Sequence, residues 1–191
     1  MLRDKVISIL HSFKLMNSRL SLRGELNAMS QKLIPWSKVE SWKCKMCGKC
    51  CYNSRVPLNF EDYAKIVSKY GEVYVVQYQN LFILRHKKDG SCVFLRIKEG
   101  KYVCKIQEDK PLVCKLFPFR VYSYPKFDNE HDSEFRYKDK IYYIYLDLDC
   151  NGIKLGNPSE ELVSKVIPEI IDIYEGKRIL QEYSTCLLRF C

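Results

Sequence analysis

Apolar residues near the start of the chain recur at three- and four-residue steps. Leu2, Val6, Ile9, Phe13 and Met16 form one series, and Leu22, Leu26, Met29 and Leu33 form another beyond Gly24. The spacing predicts an amphipathic helical arm over residues 1–36, ended by Pro35, that packs on the body or on a partner. Its positive charges do not gather on one polar face, which argues against a membrane-surface role. Trp36 and Trp42 follow and are expected as core or lid residues. Val56-Pro57-Leu58 reads as extended, and Asn59 then caps a short helix with Glu61 and Asp62 in its first turn and Gly71 just past its end. Tyr63, Ile66, Val67 and Tyr70 are its apolar face.

Beyond that helix the period falls to two. Residues 73–86 alternate as a strand or two interrupted near Gln79-Asn80, and Lys88-Asp89-Gly90-Ser91 is a turn. Cys92 to Ile97 and Tyr102 to Ile106 are the arms of a hairpin turning at Glu99-Gly100. Pro111 opens a short helix that Pro118 stops. Residues 122–136 are polar and read as a mobile insertion. Tyr142 to Leu148 is a strand that delivers Cys150-Asn151-Gly152 at a turn. From Pro158 the pattern is helical again, broken or restarted at Pro168, with Ile170, Ile171, Tyr174, Ile179 and Leu180 on the buried side. The expected fold class is α+β: a small antiparallel, hairpin-rich sheet with short helices around a cysteine core, flanked by helical ends. The expected divisions are a helical arm over 1–36, a cysteine domain over 37–155 and a helical segment over 156–191.

What changes this picture is the run Cys44-Lys45-Met46-Cys47-Gly48-Lys49-Cys50-Cys51, with four thiols in eight positions. A Cys-x2-Cys loop turns back so that two sulfurs can meet one metal ion, and Gly48 allows the positive φ that such a knuckle often needs. Cys50 and Cys51 differ, because neighbouring side chains diverge. They serve different walls of one site, or two sites. The competing reading is a set of disulfides. The chain holds 10 cysteines, yet it is longer than the small secreted disulfide scaffolds. No secretory signal is evident, and no apolar run reaches the roughly 18 residues of a membrane span. The expected setting is a reducing cytoplasm, where clustered cysteines bind metal more often than they pair. The net charge of +9 invites nucleic acid as a partner. The basic residues are scattered, however, and eight thiolates around two zinc ions would lower the charge by about four. Solvated surface charge is the stronger reading.

These blocks carry a resemblance. Cys44-x2-Cys47-x2-Cys50-Cys51 resembles the CxxCxxCC family of zinc- or iron-chelating proteins, the YkgJ-like cysteine-cluster group. So do Gly90-Ser91-Cys92-Val93-Phe94-Leu95, Cys104-Lys105-Ile106 and Lys110-Pro111-Leu112-Val113-Cys114-Lys115-Leu116-Phe117-Pro118, with Cys150-Asn151-Gly152 similar to a later family cysteine. The family shows Arg-Pro and Cys-Arg where this chain has Lys110-Pro111 and Cys114-Lys115, which keeps charge but loses the planar fork of arginine. The resemblance spans residues 40–155 and implies Cys44, Cys47, Cys50, Cys51, Cys92, Cys104, Cys114 and Cys150 as metal ligands. An all-cysteine shell suits zinc and a [4Fe–4S] iron–sulfur cluster alike, as two four-thiolate sites or as one cluster with the other cysteines around it. Cys186 and Cys191 are expected to be incidental or a local disulfide, and His11, His86 and His131 surface residues.

The expected function is metal binding, in electron transfer or in support of a methylase-like partner protein. An enzyme is the alternative, of the lysine-methylase-like or thiol-redox type. Some relatives are similar to flagellin lysine methylases, but no glycine-rich loop for S-adenosylmethionine appears here. The Cys-x3-Cys-x2-Cys motif of radical enzymes is also missing. A zinc-stabilised nucleic-acid binder is the third reading.

Overall fold

The computed structural model describes residues 32–52, 54–127 and 130–184. Residues 1–31 of the arm expected over 1–36 lie outside them, as do Cys186 and Cys191. The described residues form an α+β fold of short helices and small antiparallel sheets. None of their helices is long and apolar enough to cross a membrane.

The main sheet is built on β9 (Lys140–Asp147), whose alternation puts Tyr142, Ile144 and Leu146 on one buried face. One edge of β9 takes β7 (Phe119–Tyr122). The other takes β8 (Glu134–Tyr137) along its first half and β1 (Leu33–Pro35) along its second. The Trp36 indole N–H donates to the Glu134 carbonyl at 3.1 Å, joining the ends of β1 and β8. Below the sheet runs α4 (Ile167–Tyr174), which supplies Ile167, Ile170 and Ile171 to the first core with Phe119, Val121 and Val39. A π-helical turn over Leu162–Val166 precedes it. Pro168 has no N–H to donate and crowds the previous turn, so the wider turn lets one helix run through where a break was expected.

A second core lies under α1 (Phe60–Tyr70), which begins at Asn59, whose side chain accepts from the Asp62 N–H, and ends at Gly71. Val56, Leu58, Ile66, Leu84, Phe94 and Ile106 fill it. Two hairpins close it: β3 (Val75–Tyr78) with β4 (Leu81–Leu84), and β5 (Leu95–Lys98) with β6 (Lys101–Cys104). A last pair, β2 (Val39–Trp42) with β10 (Ile153–Leu155), ties the approach to the cysteine run to the segment after Cys150.

Several expectations are corrected. Leu33–Pro35 is a strand, not the end of a helix, because its backbone pairs with β9. Residues 130–137 are no mobile insertion. They form α3 (Glu130–Ser133) and β8, fixed by buried Phe135 and by the Ser133 hydroxyl 2.8 Å from that of the buried Tyr145. Cys92 makes only an isolated bridge, to His86, and the hairpin strand starts at Leu95. His86 is half-buried, with Nε2 3.0 Å from the Ser54 carbonyl. The C-terminal helix ends at Tyr174, and Ile179 and Leu180 are exposed at 67% and 64%. The segment beyond is held by polar contacts instead. The buried Glu169 carboxylate accepts the N–H groups of Glu182, Tyr183 and Ser184, and the Gln181 amide donates to the Lys115 carbonyl of α2 (Leu112–Leu116).

Candidate metal centre

The eight cysteines from Cys44 to Cys150 come from well-separated stretches of chain, and all of them line one cavity of about 580 Å³. The cavity lies where the two cores face each other. Cys44 and Cys150 pack against the first core. Cys92 belongs to the second, with Cys51, Cys104 and Cys114 packed on it. Cys47 and Cys50 are exposed at the mouth, and all eight are free thiols.

Local chemistry fixes each segment. The run leaves β2 with the Lys43 N–H donating to the Gly152 carbonyl at 3.1 Å, a contact so close that a Cβ on Gly152 would sit 2.2 Å from the Lys43 oxygen. Met46 and Gly48 both take positive φ, 48° and 71°, which folds the knuckle back. The Met46 carbonyl accepts from the Tyr102 N–H at 3.0 Å, and the Tyr102 ring covers Gly48 so closely that a Cβ there would lie 2.7 Å from it. A 3-10 turn over Lys49–Cys51 ends the run. The Cys51 carbonyl then accepts from the Cys92 N–H at 2.7 Å, which sets those two residues side by side. Cys104 closes β6 opposite Leu95. Cys114 rides on α2, whose Leu112 N–H is capped by the buried Asp62 carboxylate at 2.8 Å.

Burial pushes the Cys44, Cys92, Cys104, Cys114 and Cys150 thiols above the ordinary cysteine range. Cys50 goes the other way, to about 7, because it shares a hydrogen bond with Cys51, 3.9 Å away sulfur to sulfur. That same bond, with burial, holds Cys51 protonated. Lys110 lines the cavity, and its charge favours the thiolates of Cys50, Cys104 and Cys114. Thiols that burial keeps neutral become thiolates when a cation shares their site, so this donor set fits a thiophilic metal. Among the described residues no three His, Cys, Asp or Glu side chains already close on one ion position. Reaching metal–sulfur bonds of about 2.3 Å therefore takes rotation of the thiols from the cavity walls.

Sequence reasoning named the eight cysteines but missed groups that act on them. The Trp42 indole N–H donates to Cys150 Sγ at 3.2 Å, and the Gly152 N–H approaches the same sulfur at 3.4 Å. Lys110 and Arg120 also line the cavity, Arg120 paired with Asp147 at 3.6 Å. Lys110 opens the Lys110–Pro118 stretch that resembles the family, and only its basic character beside a cysteine motif signalled a role.

A cavity walled by sulfur between two apolar cores defines a thiolate metal-binding domain. The chain belongs to the CxxCxxCC family, whose model, described as "Putative zinc- or iron-chelating domain", matches residues 43–150, more than half of the chain. All eight cavity cysteines fall inside that span. No curated protein and no solved structure matches the chain.

Proposed function

We propose that this protein holds an iron–sulfur cluster in the cysteine cavity and works in electron transfer with a partner protein. The observation that carries this reading is the meeting of all eight matched cysteines on one cavity of about 580 Å³. A single tetrahedral ion with bonds of about 2.3 Å would occupy only a corner of it. Cys44-x2-Cys47-x2-Cys50 also opens as a ferredoxin run does. The residues that would hold the metal are Cys44, Cys47, Cys50, Cys51, Cys92, Cys104, Cys114 and Cys150. The cluster would supply one-electron chemistry. The chain's own part is to exclude water with Tyr102 and the two cores, to offset thiolate charge with Lys110, and to leave Cys47 and Cys50 exposed at the mouth. Lys45, Lys49 and Arg55 are exposed on the same lining, which suits a partner with an acidic face.

Zinc is the second reading, favoured by the burial of the Cys92 wall, since structural zinc takes closed all-thiolate shells. The test is metal and acid-labile sulfide analysis, with a visible absorption spectrum, on protein purified without oxygen. Iron with sulfide in a coloured protein supports the cluster. Colourless protein with stoichiometric zinc overturns it in favour of the second reading, and protein with neither metal overturns both.

A further inference from the structure

Two apolar cores share the cysteines, and they do not share them at random. Cys51, Cys92, Cys104 and Cys114 all lie in or against the second core. Cys44 and Cys150 lie against the first, and Cys47 and Cys50 are the exposed pair on the loop between them. Resting on the thiolate-metal reading above, we infer that the cavity contains two separate four-thiolate metal sites. One is a mouth site of Cys44, Cys47, Cys50 and Cys150, and the other an inner site of Cys51, Cys92, Cys104 and Cys114.

Two features carry the division. First, each set has a contact of its own. The Cys92 N–H to Cys51 carbonyl bond joins two inner members. Lys43 bonded to Gly152, and Trp42 bonded to Cys150, bring the start of the run to the last mouth member. Second, Lys49–Cys51 is a 3-10 turn, in which successive side chains point about 120° apart. Cys50 and Cys51 therefore leave the backbone toward different walls. Two-cluster ferredoxins part their run in the same manner, the last cysteine of a run serving the other cluster.

The 3.9 Å between the Cys50 and Cys51 sulfurs would also suit two ligands of one ion, so the test is aimed at that pair. The full-length chain, stripped of metal, is titrated with Co²⁺, and free thiols are then alkylated and located by mass spectrometry. Wild type should take up two equivalents. Cys51→Ser should retain one and protect Cys44, Cys47, Cys50 and Cys150. Cys150→Ser should retain one and protect Cys51, Cys92, Cys104 and Cys114. In each variant the other equivalent should bind at least about 10-fold more weakly. Wild type at one equivalent provides the same readout without any substitution: no protected set should contain both Cys50 and Cys51. Saturation of wild type at one equivalent, protection of Cys50 and Cys51 together, or loss of both equivalents in a folded single variant overturns the two-site assignment while leaving a thiolate metal centre. Wild type that binds no Co²⁺ also overturns the two-site assignment, whereas the proposed function fails separately, on the absence of iron with acid-labile sulfide from the protein as purified.

Discussion

Replacing Trp42 with Phe tests whether Cys150 is a ligand tuned by its surroundings. The indole is buried at the end of β2, packs edge-to-face on Phe119 with ring centroids 5.3 Å apart, and donates its N–H to Cys150 Sγ at 3.2 Å. Phe keeps the ring contact and deletes the donor. A hydrogen bond to a charged acceptor contributes about 1.5–3 kcal/mol, so its loss from a metal-bound thiolate corresponds to about 10- to 100-fold in affinity. The Gly152 N–H, 3.4 Å from the same sulfur, remains and partly compensates. The expected weakening is therefore at the low end, about 10-fold. The missing ring volume costs the apo fold about 1–2 kcal/mol in addition, so affinity and stability must be measured apart. Chelator competition gives the first, and urea unfolding of the metal-free chain gives the second. Trp36→Phe is the control, because Trp36 also donates an N–H, to Glu134, and also packs edge-to-face, on Phe135, but does not line the cavity. It should lower stability and leave metal affinity alone. Equal affinity in wild type and Trp42→Phe, or an equal loss in both variants, would refute the reasoning.

Gly48→Ala should destabilise the chain more than Gly100→Ala. Both residues have positive φ, costing about 1–2 kcal/mol for a side chain, but only at Gly48 would the Cβ meet a ring, 2.7 Å from Tyr102, whereas Gly100 has open space. Equal urea midpoints for the two variants would show that the Tyr102 contact does not shape the knuckle. Glu175 sets an acid-sensitive link. Hydrogen bonds from Lys140, Lys177 and Tyr142 hold its carboxyl at about 2, below the ordinary 4.5. The unfolded chain therefore binds the extra proton first, and this contribution, present above about 4.5, is lost as pH falls toward 2. Glu175→Gln should be less stable than wild type at neutral pH and show a flatter acid limb in thermal melts. Parallel curves for the two proteins over that range would contradict the assignment.

The elements legible in the sequence are those whose signals are local. Asn59 and Gly71 mark the two ends of α1 by cap chemistry that the structure repeats bond for bond. Glu99-Gly100 marks the β5–β6 turn, with both residues at positive φ. What was misread depends on partners far along the chain. Leu33 to Pro35 continues a helical apolar spacing, yet its backbone is claimed by β9 more than a hundred residues later. Residues 130–137 are polar on average, and only the burial of Phe135 in the first core and of Ser133 against Tyr145 makes them part of the sheet. Ile179 and Leu180 kept a helical period, but the Glu169 carboxylate captures the backbone just beyond and turns it out of the helix. The site divides similarly. Residue type and spacing pointed to Cys44, Cys47, Cys50 and Cys51, because few other roles need four thiols in eight positions, and the family resemblance added Cys92, Cys104, Cys114 and Cys150. That they share one cavity follows from how two hairpins, α2 and β9 are packed. The Trp42 donor was invisible because an indole reads as core whether or not its N–H is used.

The cysteine run is better understood as a strap between two cores than as an autonomous metal loop. Its first residues are bound to the first core through Lys43 and Gly152, and its last is bound to the second through Cys51 and Cys92. Between them the knuckle is held by Tyr102, which belongs to the second core. An ion-binding loop that folds alone needs only its own turn chemistry. This one takes its geometry from β2 and β10 at one end and from the β5–β6 hairpin at the other. The spacing of Cys44, Cys47 and Cys50 thus keeps those thiols on one knuckle, while the cores set where that knuckle lies. Cys50 and Cys51 stand where the strap reaches the second core, Cys51 packed on that core and Cys50 exposed beside it.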